Sequence, residues 1–166
     1  RPNIFRIPKE KKCIIILSNC ANQSAYDLFE NTMKVFRRNE WIRPFRILSD
    51  TLYPIMQQDS IKSAIYTYKY LKKNHPTAYD YSSESLELFG ERLMLLQKYQ
   101  EAVAIFSLAV EEEPNFIYGY LHLGRAFEKL GEQNEAIKAY KIAVVKGDNT
   151  RVGNDAAFQL KKLNHN

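Results

Sequence analysis

Gly90 and Gly124 stand 34 residues apart, and the residues around them repeat at the same interval. Leu86 corresponds to Tyr120, Phe89 to Leu123, Leu93 to Phe127, Ala102 to Ala136, Phe106 to Tyr140 and Ala109 to Ala143. A period of this length is the signature of stacked supersecondary units. Within each unit, Gly or Ala falls where two helices must approach closely, and Phe or Tyr falls where a gap to the next helix must be filled. Pro114 would stop the second helix of the first unit, whereas the second unit has Asp148 at that position.

Other segments extend the pattern. Ala64, Tyr68, Leu71 and Pro76 reproduce the spacing of Ala102, Phe106, Ala109 and Pro114, which indicates a degenerate earlier copy over about 45–78, displaced by an insertion before Ser82. Pro54 is expected to kink or shorten the helix over 47–57. Asp59 or Ser60 is positioned to cap the helix that follows. Ser82 caps another, with Tyr81 and Leu86 at the two positions of a hydrophobic staple. Ala156, Ala157, Leu160 and Leu163 form the apolar face of a last helix, with Lys161 and Lys162 on its polar side. Such a helix suits a terminal cap, because a single repeat cannot bury its own face.

The front of the chain differs in character. Ile4, Phe5 and Ile7 precede the turn Pro8-Lys9-Glu10-Lys11-Lys12, after which Cys13-Ile14-Ile15-Ile16-Leu17 is apolar on consecutive residues. That reads as a hairpin whose second strand needs cover on both faces, and two strands alone cannot supply it. Ser24 and Asp27 can cap a helix carrying Leu28, Phe29, Met33 and Phe36 and ending near Arg37-Arg38. Trp41 reads as a packing anchor in the linker after it. Cys13 and Cys20, an odd number of residues apart, point to opposite faces and read as small core residues, not as a disulfide.

The expected organisation is therefore a hairpin and helix over 1–38, a linker and degenerate repeat over 39–82, repeats over 83–116 and 117–150, and a capping helix over 151–166. The fold class is mainly all-α: a helical-hairpin solenoid of about two and a half repeats plus a cap, preceded by a β-hairpin and helix.

The registered pairs resemble the tetratricopeptide repeat, whose pattern places an aromatic or Leu, then Leu-Gly, an aromatic, Ala, an aromatic, Ala and Pro at these spacings. Leu86, Leu93 and Asp148 depart from it. The resemblance implies a protein-interaction scaffold whose partner is a protein, a peptide or another domain of its own polypeptide. Repeat-family geometry implies that Glu84, Glu87, Glu91 and Met94 from the first unit line the concave face, with Tyr118, Leu121, Arg125 and Glu128 from the second. The Lys and Asn clamp that some members use for a terminal carboxylate is missing. These residues make a mixed groove, acidic at one end, that prefers a partner with basic and apolar side chains.

Residues 4–36 resemble the last strands and terminal helix of serine β-lactamase-like hydrolases, some of which carry a tetratricopeptide extension. Leu71–Gly90 resembles their junction. That resemblance implies an upstream hydrolase domain, bacterial and extracytoplasmic, for which the apolar strand would be an edge. No Ser or Tyr of this sequence fits the Ser-x-x-Lys or Tyr-x-Asn motif of that family, and by family order these motifs and its Lys/His-x-Gly strand motif would precede Arg1, which is not an initiator Met. The same unpaired edge also offers a place for a second copy to dimerise.

Charge and motifs narrow the classes further. Residues 1–47 carry ten Lys/Arg against four Asp/Glu, whereas 83–116 carry two against seven. A basic front beside an acidic repeat argues against a continuous nucleic-acid surface. No apolar run approaches the ~18 residues of a membrane span. His75, His122 and His165 are isolated in sequence, and no His-Glu-x-x-His, P-loop, dinucleotide glycine pattern or Gly-x-Ser-x-Gly elbow occurs, so no metal, cofactor or catalysis is expected from these residues. Glu111-Glu112-Glu113 reads as a solvated run. Tyr66, Tyr68 and Tyr70 cannot share one helix face and read as packing residues.

Overall fold

The computed structural model describes the backbone of 3–7 and 12–16 and residues 47–163 in full. It divides into a unit ending at Pro44 and a helical unit beginning at Phe45. In the first, β1 (Asn3–Ile7) and β2 (Lys12–Ile16) pair antiparallel, with Ile4 opposite Ile15 and Arg6 opposite Cys13. The expected helix from Ser24, Cys20 and Trp41 lie outside the described residues.

The helical unit contains seven helices among the described residues: α1 (Leu48–Gln58), α2 (Ile61–Asn74), α3 (Ser83–Leu95), α4 (Tyr99–Glu112), α5 (Ile117–Leu130), α6 (Gln133–Lys146) and α7 (Arg151–Leu163). Their ends follow local chemistry. The Ser60 hydroxyl accepts the Ser63 N–H at 3.2 Å and caps α2. At α3 the Ser82 hydroxyl accepts the Ser85 N–H at 3.3 Å, while Asp80 accepts the Ser82 N–H at 3.0 Å and the Ser85 hydroxyl at 2.9 Å. Together these groups occupy donors that a helix start leaves without intrahelical partners.

The turns inside the two full repeats are alike to the hydrogen bond. The Gln97 and Lys98 N–H groups donate to the Met94 and Leu93 carbonyls at 3.0 and 2.9 Å. In the second repeat Gly131 and Glu132 donate to Glu128 and Phe127 at the same distances. Both turns need a left-handed residue. Gly131 takes φ 78° freely, but Gln97 takes φ 58° with a side chain attached.

α1 and α2, α3 and α4, and α5 and α6 form successive hairpins, and α7 lies on α6 and α5. The first helices of neighbouring hairpins touch, α1 with α3 and α3 with α5. The paired glycines explain the tight crossing. A methyl on Gly90 would fall inside 3.0 Å of three ring atoms of Phe106, and one on Gly124 would meet the Tyr140 ring in the same way. Leu86, Phe89, Leu93, Ala102, Phe106 and Ala109 are buried in one core that runs from Leu48 to Ala139. Leu121, Ala136, Tyr140, Ala143, Val152 and Ala156 form a second cluster across α5, α6 and α7.

The structure departs from the sequence expectations at several points. The earlier copy is a complete hairpin, so three hairpins stack, not two and a half. Pro54 lies within the 11 residues of α1 without ending it. Its side chain is exposed while Leu48, Leu52 and Met56 hold the buried face, so the proline lies on the solvent side of the helix. The insertion before Ser82 packs its own aromatics: Tyr81 meets Tyr68 edge-on at 5.8 Å, and buried Tyr79 bonds Thr51 at 3.2 Å. Of the three tyrosines read as packing residues, only Tyr68 is buried; Tyr66 and Tyr70 face solvent. Glu111 and Glu113 are exposed, as a solvated run should be, and Lys69 and Lys72 of α2 in the neighbouring hairpin bridge to Glu111 and the less exposed Glu112. In α7, Val152, Gly153 and Ala156 are buried and Ala157 is exposed, which rotates the packed face from the expected one.

Candidate peptide-binding face

The first helices of the second and third hairpins, α3 and α5, lie side by side and carry the residues expected to line a groove. On α3, Leu86, Phe89, Gly90 and Leu93 turn into the core. The opposite side is left to Glu84, Leu88, Glu91 and Leu95, all exposed, at intervals of four, three and four that keep them on one stripe. Leu88 and Leu95 are 60% and 84% exposed.

This stripe is one step around the helix from the expected one. Glu84 and Glu91 belong to it. Met94 is partly buried and packs against the core, and Glu87 leans toward α5. On α5, Tyr118 is exposed and lies 6.1 Å from the Phe116 ring, and Arg125 is half-buried. Leu121, expected on the concave face, is instead buried in the cluster that contains Val152 and Ala156. Glu128 is half-buried and accepts the Tyr140 hydroxyl of α6. Burial, with Glu128 beside it as acceptor, pushes the Tyr140 phenol well above the usual tyrosine range.

Beside the stripe, the structure brings together residues that look unrelated in sequence. Nε2 of His122 lies 2.9 Å from Oε1 of Glu87 and 3.7 Å from Oε1 of Glu91. The imidazole is buried and stacks on Phe106, centroid to centroid 5.2 Å with the planes 18° apart. His122 is therefore not isolated, contrary to the sequence reading. The period itself held the signal: Glu87 and His122 are 35 residues apart, one more than the repeat, so neighbouring first helices bring them into register.

Among the described residues no helix is long and apolar enough to cross a membrane. A tetratricopeptide-repeat family model matches residues 118–146, the α5–α6 hairpin. No curated protein matches the chain. Among solved structures, PcrH from Pseudomonas aeruginosa aligns with a TM-score of 0.51 at 15% identity, over 70% of this chain and 89% of its own. PcrH in complex with the chaperone binding region of PopD aligns with a TM-score of 0.50 at 15% identity, over 71% of this chain and 89% of its own. The second tetratricopeptide domain of human RPAP3, in complex with an HSP70 peptide, gives 0.49 at 18% identity, over 70% of this chain and 92% of its own. At these identities the likeness is one of fold. Together with the 34-residue register of Gly90 with Gly124, and of Phe106 with Tyr140, it gives the helical unit the fold of a tetratricopeptide-type solenoid.

Proposed function

We propose that the helical unit is a docking module that holds a partner segment along α3 and α5, and that the segment carries basic and apolar side chains. The observation that carries this reading is the exposed stripe Glu84, Leu88, Glu91 and Leu95, which alternates carboxylate and aliphatic groups. Carboxylates on such a surface favour a cationic partner and speed its approach. The two leucines supply apolar area that is removed from water on contact, at roughly 25 cal/mol per Å². Tyr118 adds a rigid amphipathic contact of the kind enriched where proteins bind one another. PcrH, of like fold, has been solved in complex with the chaperone binding region of PopD.

The partner segment belongs either to another protein or to an upstream part of the same polypeptide. The upstream reading rests on the resemblance of residues 4–36 to a hydrolase terminus and on the doubly apolar sequence of β2. Pairing of two copies through the β1–β2 strands is a separate reading, tested by oligomeric state in sedimentation. The docking reading is tested by calorimetric titration with peptides of one apolar pattern and varied charge. Basic–apolar peptides should bind most tightly and weaken on Glu84→Lys and Glu91→Lys. Equal binding of acidic and basic peptides, or no effect of the two substitutions, would refute it.

A further inference from the structure

Glu87, Glu91 and His122 converge on a point between α3 and α5. Their three donor atoms all lie within 4.8 Å of one another. Two atoms bound to a tetrahedral ion at bonds of about 2.1 Å sit about 3.4 Å apart, and the distances of 2.9 and 3.7 Å from His122 Nε2 to the two carboxylates straddle that separation. We propose that these three side chains form a binding site for a divalent transition-metal ion of the zinc class.

The geometry argues for more than a crowd of acids. Glu87 and Glu91 are four apart on α3, so one helix face presents both. His122 comes from the next repeat, with its ring held flat on Phe106 and 8% of its surface exposed. A buried imidazole held by stacking, with Nε2 turned toward two carboxylates, is a ligand already oriented. Burial also falls off across the site. The Glu87 side chain is 17% exposed and that of Glu91 48%, so the ion would meet protein on one side and water on the other. One nitrogen and two carboxylate oxygens suit zinc, cobalt or nickel. Calcium and magnesium want six or more oxygens, and soft ions want thiolate. An ion bridging α3 and α5 would tie two repeats together at the face on which the stripe lies. The assignment does not depend on peptide docking.

Calorimetric titration of the metal-free chain with zinc chloride tests it directly, with cobalt(II) absorption to report the donors. One zinc per chain is expected, and Glu91→Gln and His122→Gln should each weaken it by at least about tenfold, as loss of one of three ligands requires. His75→Gln should change nothing. Cobalt should give visible bands of a nitrogen and oxygen site without thiolate charge transfer. Because His122→Gln disturbs a buried position, Glu91→Gln, which is solvent-facing, is the deciding variant once circular dichroism matches the parent. No zinc binding tighter than ~100 μM, unchanged affinity in Glu91→Gln, or a thiolate band pointing to Cys13 or Cys20 would overturn the assignment.

Discussion

Gly124 lies directly against the ring of Tyr140: a single methyl on its Cα would fall inside 3.0 Å of three ring atoms, and Gly90 stands in the same relation to Phe106. Helix propensity favours alanine over glycine by about 1 kcal/mol. The clash outweighs that gain, because the ring is fully buried and overpacking typically costs about 1–3 kcal/mol. Gly90→Ala and Gly124→Ala should each lower stability in urea unfolding. Gly124→Ala should be better tolerated in a Tyr140→Leu background, with a coupling of about 1 kcal/mol in a double-mutant cycle.

Gln97 offers the opposite case. It holds φ 58° at the turn position that Gly131 occupies one repeat later. The left-handed region costs a side-chain-bearing residue about 1 kcal/mol or more, and glycine visits it freely. Gln97→Gly should therefore stabilise the chain by roughly 0.5 kcal/mol, after part of the gain is lost to unfolded-state entropy. A Tm that falls instead would mean the exposed Gln97 side chain makes a contribution not evident from the turn.

Tyr140 makes the fold sensitive to alkali. Its burial, then its bond to Glu128, raises the phenol pKa in the native state above the unfolded value of about 10. Below pH 10 both states keep the proton and the stability is fully present. As pH rises above 10 the unfolded chain releases the proton and the native chain does not, so stability is lost progressively through the native pKa. Tyr68, raised first by burial and then by Glu112, acts in the same direction. Tyr140→Phe should flatten the decline of urea midpoint between pH 9 and 11, and an unchanged slope would contradict this assignment.

Asp80 works at the acid end. Its partial burial favours the neutral acid, but hydrogen bonds from the Ser82 backbone, the Ser82 side chain and Ser85 outweigh this and leave the pKa below the usual carboxylate value. The contribution is present above pH 4 and lost as pH falls through the lowered native pKa. Asp80→Asn should cost on the order of 0.5–1 kcal/mol near pH 7 and reduce the dependence of stability on pH between 4 and 2.

How much was legible in the sequence depended on whether period or geometry carried the information. The pairs Leu86 with Tyr120, Ala102 with Ala136 and Phe106 with Tyr140 were readable because each must refill the same volume every 34 residues. The caps at Ser60 and Ser82 were readable because they are local. The hairpin of α1 and α2 is underestimated because an interior proline removes a helix hydrogen bond and commonly kinks or ends the helix, and sequence alone does not say that Pro54 lies on the solvent side, where the freed carbonyl can meet water. Of the candidate face, Glu84 and Glu91 are expected from the repeat and stand exposed on α3, but the step around the helix that partly buries Met94 and exposes Leu88 and Leu95 is set by how α3 packs. Leu121 lies buried in a cluster with Val152 and Ala156, distant in sequence, and the carboxylates beside His122 come from the preceding repeat.

The most direct test of the account is to map the contact surface of a basic–apolar peptide by amide chemical-shift perturbation in the intact chain. Binding through the α3–α5 face predicts the largest shifts at Glu84, Leu88, Glu91, Leu95 and Tyr118, with α2 and α6 little changed. Shifts centred on Tyr66, Tyr70 or Val145, which are exposed on the second helices, with none along α3, would contradict it.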